Sequence, residues 1–175
     1  MTMLITGLIL FFAVHLIKPV APNLRESLVG KLGDTPYKIA YSAIAGVGMA
    51  LFIIGYKQAE YIWLWAPLPG SPFVTHGLML PAALLLIAPY IPNSWGKRAQ
   101  HPMMIGVLLW AIAHLWTNGH LKAVLLFGSF GFYSLIIMMK SDWNQTITAQ
   151  PIWKNIIWIV AAILVYGVAR MLHTI

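Results

Sequence analysis

The sequence predicts an all-α integral membrane protein, a six-helix transmembrane bundle, and three observations carry that expectation. Sixty per cent of the 175 residues are hydrophobic and only 9% are charged, whereas a soluble domain carries about a quarter charged residues. Mean hydropathy is +0.79. The apolar residues gather into six runs, at 3–20, 37–56, 74–92, 101–118, 121–139 and 153–172, each close to the ~20 residues that a helix needs to cross a bilayer. These runs leave no room for a separate soluble domain, so residues 1–175 read as one transmembrane domain.

The breaks between the runs have local causes. Lys18-Pro19 and Pro22-Asn23 end the first run. Segment 23–35 is amphipathic, with Leu24, Leu28 and Leu32 recurring every fourth residue, and it predicts a short helix lying at the membrane interface. Pro67, Pro69-Gly70 and Pro72 make the second loop. Pro92-Asn93 closes the third run, and Pro102 fits the first turn of the fourth helix. Thr117-Asn118-Gly119 is a tight turn, and residues 142–151 form the last loop.

Charge sets the expected orientation. Lys18, Arg25, Lys31, Lys38, Lys97, Arg98, Lys140 and Lys154 fall on the odd-numbered loops and their edges, against Lys57, Lys122 and Arg170 on the other side. This imbalance places the odd loops in the cytoplasm and both termini outside. Tyr56, Tyr61, Trp63 and Trp65 then form an outer aromatic belt, and Tyr37, Trp95, Trp143 and Trp153 an inner one. The sequon Asn144-Gln145-Thr146 falls on the cytoplasmic side and is discounted. The net charge of +7 matches anionic headgroups rather than nucleic acid. The chain starts apolar without a basic leader, so a cleaved signal peptide is not expected and His15 is retained.

One pattern occurs twice. Gly7, Phe11, His15 and Leu16 match Gly106, Trp110, His114 and Leu115, with glycine, aromatic and histidine each four residues apart. Such spacing stacks a gap, a ring and an imidazole along a helix. The competing reading is coincidence, since glycine, leucine and aromatics abound in membrane helices. With three spans per half, the pattern reads as a trace of a 3+3 inverted repeat. The two histidines then differ in depth by roughly 10 Å, and two imidazoles on one iron place their Cα atoms on the order of 12 Å apart. A shared metal therefore requires a steep ligand axis.

The other histidines carry less. His173 is near the C-terminus and His120 at the outer interface, where a headgroup or water contact is expected. His76 opens the third span and His101 the fourth, and they are the second choice as metal ligands. His101 and His114 are about 20 Å apart along one helix and cannot share an atom.

The chain has no cysteine, which excludes thiolate ligands, disulfides and covalent haem attachment through Cys-x-x-Cys-His. The four acidic residues, Glu26, Asp34, Glu60 and Asp142, are all in loops, so an ion-coupled transporter lacks its usual intramembrane carboxylate. No nucleophile–base triad, phosphate loop or zinc spacing occurs. An apolar bundle with inward histidines favours haem, and Gly7 and Gly106 would leave room for the macrocycle, with Phe11 and Trp110 beside it.

At these residues the chain resembles the NnrU family. The likeness runs through Gly7 to His15, Gly33-Asp34-Thr35-Pro36-Tyr37-Lys38, Gly48 to Tyr56, His101-Pro102-Met103, Leu109 to Leu115, Asn118-Gly119 and Leu126 to Phe130. It implies a small multi-pass protein of the bacterial inner membrane, associated with nitrite and nitric oxide metabolism. The same domain resembles the membrane haem domain of plant zeta-carotene isomerases, which implies non-covalent haem b on His15 and His114. Those enzymes carry a cysteine where this chain has Ala111, so a thiolate ligand exchange is excluded. Three functions stay open: a haem protein of nitrogen-oxide metabolism with a gaseous or small hydrophobic substrate and a membrane redox partner, a haem-dependent isomerase of a carotenoid or other polyene lipid, and a haem-free transporter or assembly factor.

Overall fold

The computed structural model describes residues 1–143 and 146–173, without the side chains of residues 172 and 173. The sequon at Asn144 and the His173 side chain lie outside the described residues. The fold is all-helical. Helices α1 (Thr2–Val20), α2 (Pro22–Leu32), α3 (Asp34–Gln58) and α4 (Ser71–Ile87) are followed by a short 3₁₀ turn at Gly96–Ala99 and by α5 (Pro102–Thr117). Helices α6 (Leu121–Lys140) and α7 (Ile152–His173) complete the described chain. Four of them, α1, α3, α6 and α7, are long and apolar enough to cross a membrane. The two others predicted to span, α4 and α5, are apolar but shorter, with 17 and 16 residues. At 1.5 Å per residue α5 is about 24 Å long, less than the ~30 Å hydrocarbon layer.

The third run ends earlier than expected. Helix α4 stops at Ile87, because Asn93 turns the chain back: its side-chain amide donates to the carbonyls of Ala88 and Ile91, both at 2.7 Å. Those carbonyls would otherwise be orphaned at the helix end.

The chain divides into two units. The first comprises residues 1–64 and 120–129 and rests on the pairing of α1 with α3. Glycine makes that pairing close: a Cβ at Gly7 would overlap the Phe52 amide nitrogen, one at Gly48 would lie 2.7 Å from the Phe11 nitrogen, and one at Gly55 would overlap the Leu4 nitrogen. In lipid, helices associate through such close backbone packing rather than through a hydrophobic drive. Helix α2 forms as predicted, starting on Pro22 and ending at Gly33, whose φ of 85° suits only glycine. It has no buried residue, and Leu24 and Leu32 are exposed.

The second unit comprises residues 65–119 and those from Phe130 on, and packs α4 against α5 and α7. Gly106 is the contact of α5 with α4, where a Cβ would meet the Leu86 nitrogen at 2.9 Å and the Ala82 oxygen at 3.0 Å. Thr75 and Thr117 bond across the same pair at 2.6 Å, and Trp158 ties α7 to the Leu84 carbonyl at 2.9 Å. The two pattern-bearing helices thus differ in chain order: α1 pairs with a helix that follows it, and α5 with the helix that precedes it. A three-plus-three duplication would give both the same order.

Candidate functional site

The two repeated histidines share one local geometry. His15 Nδ1 lies 2.7 Å from the Phe11 carbonyl, and His114 Nδ1 lies 2.7 Å from the Trp110 carbonyl. A carbonyl can only accept, so each imidazole carries a proton on Nδ1, and in the neutral ring Nε2 is the nitrogen left to ligate. This tautomer, fixed by a backbone partner, is the one that ligates metal through Nε2. The aromatic member of each pattern packs on its histidine. Phe11 stacks on His15 with centroids 4.1 Å apart, and Tyr41 flanks the same ring at 5.2 Å. Trp110 lies 4.9 Å from His114 and meets Phe130 edge-on at 5.7 Å.

The glycines of the pattern have a different use from the one expected. The gaps at Gly7 and Gly106 are filled by the backbones of α3 and α4. They bring helices together, and the space beside them is not free for a macrocycle.

His114 opens onto a cavity of about 150 Å³ in the second unit, lined by Thr75, His76, Met79, Tyr166 and Arg170 among others. His76 therefore joins His114 at one cavity, and its Nδ1 is 2.6 Å from the Tyr166 hydroxyl. If the histidine donates, His76 shares the tautomer of His114; if the tyrosine donates, the proton sits on Nε2 instead. Arg170 carries the positive charge there. His15 belongs to the first unit. His101 lines a separate cavity, with Nε2 2.9 Å from the Asp142 carbonyl and its ring edge-on to Trp143 at 4.7 Å. Among the described residues no group of three or more histidine, aspartate or glutamate side chains gathers as a metal site. A haem iron needs only one or two imidazoles, and the donor chemistry of His15 and His114 fits it. The cavity volume alone is that of a few water molecules, so the fit rests on the donors.

The structure corrects the reading of His120 as a residue in contact with headgroups or water. His120 is 3% exposed and Lys122 2% exposed. His120 Nδ1 accepts from the Ala123 amide at 3.2 Å and so caps α6. Tyr56, Tyr61 and Trp63 surround its ring, while Tyr61 and Trp63 stay exposed on their other faces. Lys122 Nζ donates to the Ala59 carbonyl at 3.1 Å and sits 3.4 Å from the centre of the Tyr61 ring. Burial, and next the Lys122 charge, hold the His120 pKa below the usual 6.5. The signal available in the sequence was the four aromatics within Tyr56–Trp65, which suit a cation cage as well as a headgroup belt. The turn after the cap is wound more widely, as a π-turn over Val124–Gly128.

No curated protein and no solved structure matches the chain. The family described as NnrU protein matches residues 3–175, nearly the full length and including both histidine patterns, and the chain belongs to the NnrU family.

Proposed function

We propose that the chain is a multi-pass protein of the bacterial inner membrane that binds haem b non-covalently, with His114 as an axial ligand, in the nitrite and nitric oxide metabolism with which its family is associated. The observation that carries this reading is the Nδ1 proton held on the carbonyl four residues earlier in both His15 and His114. Haem, when bound, supplies an iron for electron transfer or for gas binding. The repeat names His15 as the second ligand. The cavity shared with His114 favours His76 as the alternative, and Arg170 suits the haem carboxylates. The isomerase reading is weaker: Ala111 is 1% exposed, and a Cβ on Gly131 would lie 3.4 Å from its Cβ, so nothing there exchanges as a ligand.

Two neutral imidazoles give a six-coordinate, low-spin haem with a sharp α band on reduction. The expected result for protein purified from a haem-replete host is that band, lost or converted to high spin in His114→Ala and His15→Ala and kept in His76→Ala. Loss in His76→Ala with retention in His15→Ala selects the alternative pair. A preparation without a Soret peak, or a His114→Ala protein with an unchanged spectrum, removes the proposal.

The six apolar helices are proposed to cross the membrane six times, with α4 and α5 as the short crossings and both termini periplasmic. A single cysteine placed at Lys97 tests this, since the chain has no other thiol. Labelling by a membrane-impermeant maleimide is expected only after the inner face is exposed. Labelling from the periplasm would reverse the orientation.

A further inference from the structure

We propose that the basic loop before α5 and the first turn of that helix form a binding site for a phosphate group, carried by a lipid headgroup or free in solution. A cavity of about 390 Å³ lies there, lined by Lys97, Gln100, His101, Pro102, Met103 and Met104 among others. It is separate from the cavity of His114. Its chemistry is one-sided. Lys97 brings a full charge and Gln100 an amide, His101 brings an imidazole whose Nε2 is held on the Asp142 carbonyl, and among the described residues no carboxylate side chain lines it. Arg98 follows in the same turn. Pro89, Pro102 and two methionines add apolar lining. A lining of both cationic and apolar side chains suits an anion attached to a hydrocarbon, and basic pockets between membrane helices take acidic headgroups.

The helix contributes donors. His101 precedes α5 without a side-chain cap, Pro102 has no N–H, and the first helical bond beyond it runs from Ile105 to the His101 carbonyl at 3.0 Å. The Met103 and Met104 amides are thus ahead of the hydrogen-bonded ladder, at the end of the helix that favours negative charge. Both residues line the cavity.

Two buried asparagines hold the loop in place. Asn93 is 0% exposed, and its Oδ1 accepts from the amides of Gly96 at 2.9 Å and Lys97 at 3.3 Å. Asn155, on α7, is 1% exposed, and its Oδ1 accepts from Ser94 at 3.0 Å and Trp95 at 3.1 Å. The Lys97 backbone is therefore fixed before any anion arrives, which lowers the ordering cost of binding. Gln100 has φ 63° and ψ −50°, a conformation that side-chain-bearing residues seldom take, and this turn sets His101 at the start of α5. The placement also gives His101-Pro102-Met103 a use that the haem reading leaves unassigned.

The test is native mass spectrometry of the purified full chain in detergent, titrated with phosphatidylglycerol or with phosphate-free diacylglycerol, alongside calorimetry with inorganic phosphate. Phosphatidylglycerol is expected to be retained and diacylglycerol not. Lys97→Gln is expected to weaken retention about fivefold, the weight of one cation near an acidic headgroup. His101→Gln should add to that loss, and Lys57→Gln should change nothing. Lys97→Arg should restore binding and so excludes a folding defect. Inorganic phosphate binding that shows the same Lys97 dependence identifies free phosphate as the source, and its absence beside lipid retention identifies the headgroup. Retention of both probes unchanged in Lys97→Gln and His101→Gln proteins that melt like wild type overturns the proposal.

Discussion

Gly55→Ala and Gly7→Ala should each lower the melting temperature of the purified protein markedly, while Gly46→Ala on the same α1–α3 pair should leave it unchanged or raise it. The three substitutions add the same methyl group. At Gly55 and Gly7 the added carbon overlaps a backbone amide nitrogen of the facing helix, that of Leu4 and of Phe52, while at Gly46 nothing lies within 4 Å. A flexible side chain could move aside, but a helix backbone moves only by separating the whole pair. Overpacking costs about 1–3 kcal/mol in well-packed interiors, and the upper end applies where the obstacle is main chain. At Gly46 the only change is helix propensity, which favours alanine by about 1 kcal/mol. The sign of the effect therefore differs along one helix. Thermal melts followed by tryptophan fluorescence measure it, and equal melting of Gly55→Ala and Gly46→Ala would show that α1 and α3 do not touch at Gly55.

This packing explains what the sequence could and could not reveal. Apolar run length is a property of the chain alone, and the six runs correspond to helices whose ends lie within a few residues of those expected. Only the end of α4 differs by more, because it depends on the tertiary bonds of Asn93. The repeated histidines were legible by spacing, and the helix itself supplies the Nδ1 partner four residues back. The use of the repeated glycines was not, because a missing Cβ looks the same whether a cofactor or a neighbouring backbone fills the gap. His76 beside His114 was also hidden, since the two sit on different helices 38 residues apart and nothing local links them. The burial of Lys122 ran against its residue type. A lysine just after a turn reads as solvated, and only the fold brings Tyr56 and Tyr61 around it.

That lysine carries the second large effect. Lys122→Ala should destabilise the protein by about 3 kcal/mol. The substitution leaves the Ala59 carbonyl without its donor, which costs about 1–3 kcal/mol for a buried group. It also removes a desolvated cation from the Tyr61 face, worth about 2 kcal/mol or more, against which stands the relief of no longer burying a charge. Lys122→Met separates these parts, because it keeps the side-chain volume and loses only the charge and the donor. It should remain clearly less stable than wild type but more stable than Lys122→Ala. Acid should act on the same cage. His120 caps α6 through an unprotonated Nδ1, and its folded pKa lies below the usual 6.5 because burial and the Lys122 charge oppose a second cation. The unfolded chain takes up that proton first as pH falls. The contribution of His120 is therefore complete above about pH 6.5 and is lost as pH drops through the folded value. His120→Asn, which keeps a cap but does not titrate, should remove this part of the acid dependence. Melts of the three variants between pH 8 and pH 5 decide the matter: a Lys122→Met protein as stable as wild type, or an acid dependence unchanged by His120→Asn, would mean that the cage around α6 does not hold the first unit together.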